Sequence, residues 1–459
     1  MRKMEDIIFG ETKAESKLDG NNRKEHKRIL LGHLGRRGDC LYATTVARQI
    51  KQDFPDCHLT WGISSMCRSV IEGNPYVDEI WELPLKTNEE IVGAWRQFEV
   101  DAMRKKRQGE YDEVYLTQVH PANFQNYDGT SRSSVFRGYS KPITVPVQPV
   151  VRLSDTEVGN VRRFADFHQL ADKEKVILFE CASSSGQSFV TPDFAVKVAQ
   201  KLLKNNTDVY LILSSDIPIQ FTDRRIIDGS VLSFKENAEL TKYCCLLVGC
   251  SSGISWLATS DWAKPLPKIQ LLSSHTTMYA SMIYDAVYFG LPTDQILEMQ
   301  DCTVELVTSC IQTVFANGFA AAREKYHQDI PLDLNFYFGQ LYCEVLAKKE
   351  LGKAMGSLSV TRERFGNHPQ LVHFLRNLVF PYAELAWTDL SEDERKRIVN
   401  LFGYKRPGRI FLIPSRIMSW FKLFRGLFRA GTRNISIGLV KNILTRLLNA
   451  RDRNFYDVF

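Results

Sequence analysis

No uncharged apolar run in this sequence approaches the ~20 residues that cross a bilayer as a helix, so no helical span is expected. Residues 1–27, MRKMEDIIFGETKAESKLDGNNRKEHK, lack the apolar core of a secretory signal and read as a polar, disordered leader. Ten cysteines are scattered with no C-x-x-C pair and no His/Cys ligand spacing. That pattern argues against a zinc module and fits reduced, partly buried thiols on the cytoplasmic side. No D-x-D pair stands in a suitable loop, so the usual carboxylate arrangement for a divalent ion is missing and no metal is expected. Neither the dinucleotide fingerprint G-x-G-x-x-G nor a phosphate-binding P-loop occurs where a strand meets a helix.

Charge is present but uneven. The 459 residues carry a net charge of +6. From Lys405 onward there are twelve Lys and Arg against two Asp. The tail is therefore positive by ten and residues 1–404 are negative by four. A mildly acidic body does not suit a broad nucleic-acid surface, so no nucleic acid is expected as a partner. At 44% hydrophobic and 24% charged, the chain has an ordinary globular composition and is long enough for two or three domains.

Strand-like and helix-like segments alternate from residue 28. RILLGHL, HLTWGIS, DEIWELP and DEVYLTQ read as buried strands, separated by helical patterns in YATTVARQIKQDF, SMCRSVIEG and residues 88–107. NYDGTSRSSVFRGYSKP reads as a polar loop, and KPITVPVQPVV, with three prolines, as an extended connector. A domain boundary is expected at 142–155. After a bridging helix the alternation restarts with KVILFE, a helix opened by Thr191-Pro192, DVYLILS, CLLVG, ISWLATS and PKIQLLS, then a helix over 301–316. This order predicts an α/β chain of two parallel-sheet domains, 28–150 and 151–330. Residues 331–404 show no convincing strand and are expected to form a helical extension. Within it SEDERKRIVNLFG has Ser391 as a cap and acids in the first turn.

The segment GHLGRRGD leads from the first strand into the first helix. Its order is G-x-x-G-x-x-G-D, with Asp39 at the mouth of the sheet, where open α/β sheets bind ligands. An aspartate there caps the helix or acts as a general base.

Residues 28–84, RILLGHLGRRGDCLYATTVARQIKQDFPDCHLTWGISSMCRSVIEGNPYVDEIWELP, resemble the opening of the heptosyltransferase family of glycosyltransferases. The shared parts are the strand, the loop ending Gly38-Asp39, the helix closing on FPD, a second strand, and GNPYVDEI. The resemblance implies a GT-B fold: two Rossmann-like domains facing across a cleft. It also implies inverting, metal-independent transfer from a nucleotide-sugar donor, with Asp39 as the base. Arg36, Arg37 and Gly38 beside it, and Arg132 and Arg137 in the variable loop with Tyr127, become candidates for contact with the acceptor or leaving group. In the second domain, Ser183, Ser184, Ser185, Gly186 and Gln187 stand where the family contacts phosphate. Ser251, Ser252 and Gly253 stand in its D-S-G-x-x-H donor loop, with Ser251 in place of the acid and Trp256 in place of the histidine. Seryl and backbone donors at a helix N-terminus still suit a diphosphate, and Trp256 is core or a stacking platform. His33 and His275 are expected to be structural.

The tail interleaves basic residues with an apolar face of Ile417, Trp420, Phe421, Phe424, Leu427 and Phe428. That is the composition of a helix lying on an anionic membrane surface, or of one packed on protein. The expectation is a peripheral enzyme on the inner face of the cytoplasmic membrane, acting on a glycan or lipid-linked acceptor in surface-polysaccharide or lipopolysaccharide synthesis. The alternatives are a GT-B nucleotide-sugar epimerase and a degenerate, membrane-associated glycan-binding scaffold.

Overall fold

The computed structural model describes residues 26–402, apart from Ala182, Ser184, Ser185 and 386–389. Residues 1–25 of the expected leader and all of the expected basic tail lie outside the described residues.

The first half runs β1 (Arg28–Gly32), α1 (Arg37–Asp53), β2 (His58–Ser64), α2 (Arg68–Ile71), β3 (Glu79–Leu83), α3 (Asn88–Arg107) and β4 (Glu113–Leu116). These strands form a parallel sheet in the order β3-β2-β1-β4. Ile29, Leu30 and Leu31 of β1 and Leu59, Trp61 and Ile63 of β2 are fully buried. A sheet covered on both faces needs apolar residues at every position, so its strands read as unbroken apolar runs. The connector lies along α1, where Thr44 Oγ1 accepts the Val150 amide (2.8 Å) and Arg48 donates to the Gln148 carbonyl (3.0 Å).

One expectation here is corrected. The polar loop contains a helix, α4 (Ser131–Phe136). Its serines favour turns over helix. A fully buried carboxylate, Asp128, holds it in place by accepting the Thr130 amide (3.0 Å) and the hydroxyls of Thr130 (2.7 Å) and Ser133 (2.9 Å).

The second half runs α5 (Asp155–Phe167), β5 (Lys175–Glu180), α6 (Pro192–Leu203), β6 (Val209–Ser214), β7 (Ile226–Asp228), α7 (Glu236–Leu240), β8 (Leu246–Gly249), α8 (Gly253–Leu257), β9 (Lys268–Leu272), α9 (Thr277–Ala280), α10 (Met282–Tyr288), β10 (Ile296–Gln300), α11 (Val304–Asn317) and α12 (Phe319–Tyr326). Its parallel sheet has the order β10-β9-β8-β5-β6-β7. Strands β7 and β10 are additions to the sequence reading. The first is only three residues long. The second, ILEMQ, carries the buried Glu298, whose carboxylate accepts the Ser281 hydroxyl (2.8 Å) and the Ile283 amide (3.1 Å) at the start of α10.

Both sheets are doubly wound. The chain reverses direction across the sheet between β1 and β4, and again between β5 and β8. Ligands of open α/β sheets bind beyond the strand C-termini at such switch points. Four loops are thereby singled out: those after β1, β4, β5 and β8. The halves meet through Tyr42 of α1 and Trp256 of α8, edge to face at 5.1 Å. The result is two Rossmann-like domains facing across a cleft.

The extension comprises α13 (Asn335–Glu344), α14 (Leu351–Phe365), α15 (Pro369–Phe374), α16 (Phe380–Leu385) and α17 (Glu392–Phe402). Before α17 the Ser391 hydroxyl accepts the Glu394 amide (3.2 Å), and Glu394 accepts the Ser391 amide in return (2.8 Å), a capping box. The extension is packed into the body. Tyr337, Leu341, Met355 and Leu358 share one core with Phe124 and Tyr127 of the first half and Met278 of the second. Among the described residues no helix is long and apolar enough to cross a membrane.

Candidate active site

Asp39 occupies the first turn of α1, three residues after the N-cap Arg36. Its carboxylate accepts the Arg36 backbone N–H, as the third residue of a capping box does. The same carboxyl is pushed up to about 6, because burial penalises its charge more than Arg36 and His120 relieve it. Capping and base chemistry are thus compatible in one residue. A carboxyl that titrates near 6 is ionised at neutral pH yet basic enough to take a proton from a reacting hydroxyl.

Its loop is fixed from below. Gln118, just beyond β4, accepts the amides of Leu34 (3.0 Å) and Gly35 (3.1 Å) and donates to the Gly35 carbonyl. His33 Nδ1 bonds Thr117 Oγ1 (2.9 Å), and Trp61 Nε1 donates to the His33 carbonyl (3.1 Å). Burial lowers His33 to about 3, so the ring is neutral and structural. Gly38 faces open space, with no atom within 4 Å of where a Cβ would stand. Arg36 is exposed. Arg37 points across the cleft, 3.9 Å from Asp216 and 5.7 Å from the Phe234 ring centroid, both in the second domain.

The switch point of the second sheet is flanked by the loops after β5 and β8. In the first, Ser183 Oγ accepts the Ser188 amide (3.3 Å), and Gly186 adopts φ +73° with open space before it. The Gly186 carbonyl accepts from Thr276 Oγ1 (3.0 Å). Gln187 is buried, and its carbonyl accepts the Ser273 amide (2.9 Å). Ser184 and Ser185 lie outside the described residues.

The loop after β8 departs from the expectation of donors free for a diphosphate. Glu180, at the end of β5, is buried and turns into the N-terminus of α8. It accepts the amides of Cys250 (2.8 Å) and Ile254 (2.9 Å) and the Ser255 hydroxyl (2.6 Å). Burial raises this carboxyl despite those donors. Ser251 is also committed: its amide donates to Gln270 Oε1 (2.7 Å) and its hydroxyl to the Ala280 carbonyl. Ser252, the N-cap of α8, makes no side-chain cap bond and remains part-exposed beside Gly253. An internal carboxylate therefore fills much of the anion position that sequence pattern assigns to the donor. Trp256 is buried and donates Nε1 to the Ser251 carbonyl (3.2 Å), so it is core.

Arg132 and Arg137 also differ from the expected acceptor wall. Arg132 is 3% exposed, 3.3 Å from Asp285, and its guanidinium lies 4.8 Å from the Trp256 ring and 5.3 Å from that of Tyr42. Arg137 pairs with Asp128 at 2.8 Å. Both belong to the contact between halves. Tyr127 is buried and donates to Gln340 Oε1 (2.6 Å), while His275 is exposed. Pattern reading missed Gln118, His120 and Glu180. The signal was present for the first two, since both follow directly on the fourth apolar strand, at the end where ligands bind. Among the described residues no group of three or more His, Cys, Asp or Glu is placed to hold a metal ion.

No protein-family model matches the sequence, and no curated protein matches it. Solved structures with a similar fold include the glycosyl transferase family 9 protein of Veillonella parvula, at 14% identity and TM-score 0.44, over 65% of this chain and 94% of that one. Another is the E. coli ADP-heptose lps heptosyltransferase II, at 12% identity and TM-score 0.41, over 63% and 98%. A third is S. aureus MnaA with UDP, at 13% and 0.38, over 66% and 93%. At these identities the likeness is one of fold.

Proposed function

We propose that this chain is a glycosyltransferase that moves a sugar from a nucleotide-sugar donor to an acceptor hydroxyl, with inversion and without a metal ion. The observation that carries the reading is Asp39: a carboxyl raised to about 6, at a topological switch point, two residues from Arg37, which reaches Asp216 of the second domain. The resemblance of residues 28–84 to heptosyltransferases supports it. The acceptor oxygen attacks the anomeric carbon as Asp39 takes its proton. The bond from that carbon to the diphosphate breaks, and the diphosphate leaves with the negative charge. Arg37, Ser183, Gly186 and Ser252 are the groups offered to that charge. Acceptors are glycan or lipid-linked hydroxyls of surface polysaccharide or lipopolysaccharide synthesis.

The test is a thermal-shift series with nucleoside diphosphates and nucleotide sugars in EDTA. A ligand bound only to the folded state raises the melting temperature by mass action, by ~2.7 kcal/mol of stability at a hundredfold excess over Kd. A rise with one nucleotide is expected. No rise with any of them, with or without magnesium, counts against a donor cleft. One observation favours a second reading, a cleft that binds glycan without transferring it: Glu180 already occupies amides at α8. Turnover with any donor removes that reading. The basic tail is proposed to seat the enzyme on anionic lipid. Removing residues 405–459 should abolish co-sedimentation with phosphatidylglycerol vesicles, and undiminished sedimentation counts against it.

A further inference from the structure

Helix α13 has two unlike faces. Tyr337, Phe338 and Leu341 are buried in the core of the extension. Phe336, Gln340 and Glu344 follow one another at i, i+4 and i+8 and stay half-buried, a stripe about 12 Å long. Each is placed by a contact outside the extension. The Phe336 ring meets that of Tyr279, with centroids 5.8 Å apart. Gln340 Oε1 accepts the Tyr127 hydroxyl (2.6 Å). Glu344 Oε2 lies 3.2 Å from His120 Nε2, with the two side chains 36% and 43% exposed. These contacts join the stripe to both halves at the loops that flank the switch points. Tyr279 belongs to α9. Thr276, just before that helix, donates to the Gly186 carbonyl (3.0 Å), and Ala280, its last residue, accepts the Ser251 hydroxyl. The helix thus sits between the loops after β5 and β8. His120 follows β4, two residues from Gln118, which holds the amides of Leu34 (3.0 Å) and Gly35 (3.1 Å) in the loop that leads to Asp39. The stripe therefore runs from the rim of the second sheet's switch point to the rim of the first.

We propose that the helical extension supplies the acceptor-binding wall of the cleft, and that the Phe336–Gln340–Glu344 stripe with Tyr279 binds a carbohydrate ring. A pyranose has an apolar C–H face and a rim of hydroxyls. Phe336 and Tyr279 are half-buried and join none of the apolar cores formed by the described residues. Their rings offer apolar surface beside polar groups, as aromatic side chains do where one side is dry and the other wet. The Gln340 amide has two N–H donors beyond the oxygen that Tyr127 occupies. The bonds to Glu344 from His120 and from Lys348 (2.8 Å) both fall on Oε2, so Oε1 keeps its lone pairs for a sugar hydroxyl. Aromatic surface with a few placed polar groups is how small-ligand sites are lined. A carboxylate within the stripe disfavours an acyl chain, which would strip it of water, and a phosphate, which it repels.

Calling that sugar the acceptor rests on the glycosyltransferase reading, and the test separates the two. The fluorescently labelled full chain is applied to a printed array of bacterial core and capsular oligosaccharides, and its melting temperature is followed in parallel with nucleoside diphosphates. Wild type should bind a subset of the glycans. Phe336→Ala and Glu344→Ala, each checked for a cooperative melt, should weaken that binding about tenfold or more and keep the nucleotide-induced rise. Phe167→Ala removes a ring that is 83% exposed at the end of α5 and should change neither readout, which separates the stripe from general aromatic adhesion. If one stripe variant does not fold, the other decides. No glycan bound by wild type, or binding undiminished in the folded stripe variants, overturns the wall. A nucleotide rise together with such indifferent glycan binding removes the wall alone. Glycan binding lost in Phe336→Ala, with no nucleotide rise even in wild type, keeps the carbohydrate site and removes the transferase.

Discussion

Asp39→Asn is expected to lower turnover by about 10²–10⁴-fold while leaving the nucleotide-induced rise in melting temperature in place. The substitution keeps the shape of the side chain and an oxygen able to accept the Arg36 amide, so α1 retains its first turn. What it removes is the proton acceptor. Wild-type turnover should fall about tenfold per pH unit below the Asp39 midpoint near 6. Stability supplies a second readout with the opposite sign. The folded carboxyl titrates near 6 against 3.8 unperturbed, so the folded state holds its proton more tightly than the unfolded chain. The stability this group contributes is full below about pH 3.8 and is lost as pH rises through about 6, to at most about 3 kcal/mol. Asparagine does not ionise and escapes that loss. The variant should be inactive and, at pH 8, more stable to urea than wild type. A residue that only caps the helix predicts activity kept, because the asparagine oxygen still accepts the Arg36 amide. Turnover therefore decides between the readings that the sequence leaves open, and the stability change checks that the carboxyl is buried.

Most of the fold was legible because a doubly wound sheet is written in runs of apolar residues. RILLG, HLTWGIS, KVILFE and VYLILS are buried along nearly their whole length. The strands that escaped notice are those that break this rule. In β10, Glu298 looks like a solvent residue, yet it is 1% exposed because Ser281 and the start of α10 satisfy it. The helix α4 escaped for a related reason. Its serines are poor helix formers whose donors are taken up by Asp128, a partner that no local pattern announces.

The candidate site divides in the same way. Asp39 stands out because strand, glycines, acid and helix follow one another within a dozen residues. Glu180 was read only as the last residue of a strand, while its work lies 70 and 74 residues on, at Cys250 and Ile254. Glu344 lies in a helix whose sequence gives no sign that α13 ends against His120, 224 residues away in the chain. Residues that act through contacts within one element can be found by pattern. Those that act by closing a long loop need the topology first.

The junction of the three parts of the chain makes the second large prediction. Arg364 of α14 donates to Asp128 (3.0 Å) and Ser133 (3.0 Å) of the first half and to the Tyr284 carbonyl (3.2 Å) of the second, with its guanidinium 4.0 Å from the Tyr288 ring. Burial alone would raise Asp128, but the charges of Arg137 and Arg364 and the Thr130 hydroxyl hold it below its ordinary range. Removing one partner leaves a fully buried carboxylate short of charge, and breaking such a pair costs about 3–5 kcal/mol. Arg364→Met, which keeps most of the apolar stem, should lose stability on that scale at pH 7. The loss should shrink as pH falls through the acid range, because a carboxyl held low stabilises above its unfolded value and that contribution disappears as it takes a proton. Asp128→Asn combined with Arg364→Met should cost less than the two single losses added, since neither then strands the other. A loss below about 1 kcal/mol in Arg364→Met, or strict additivity in the pair, would mean that the network is solvated in solution and that the extension is held by its apolar core alone. A full loss together with strong coupling would mean that the extension is what fixes the two halves at the angle across which Arg37 meets the second domain.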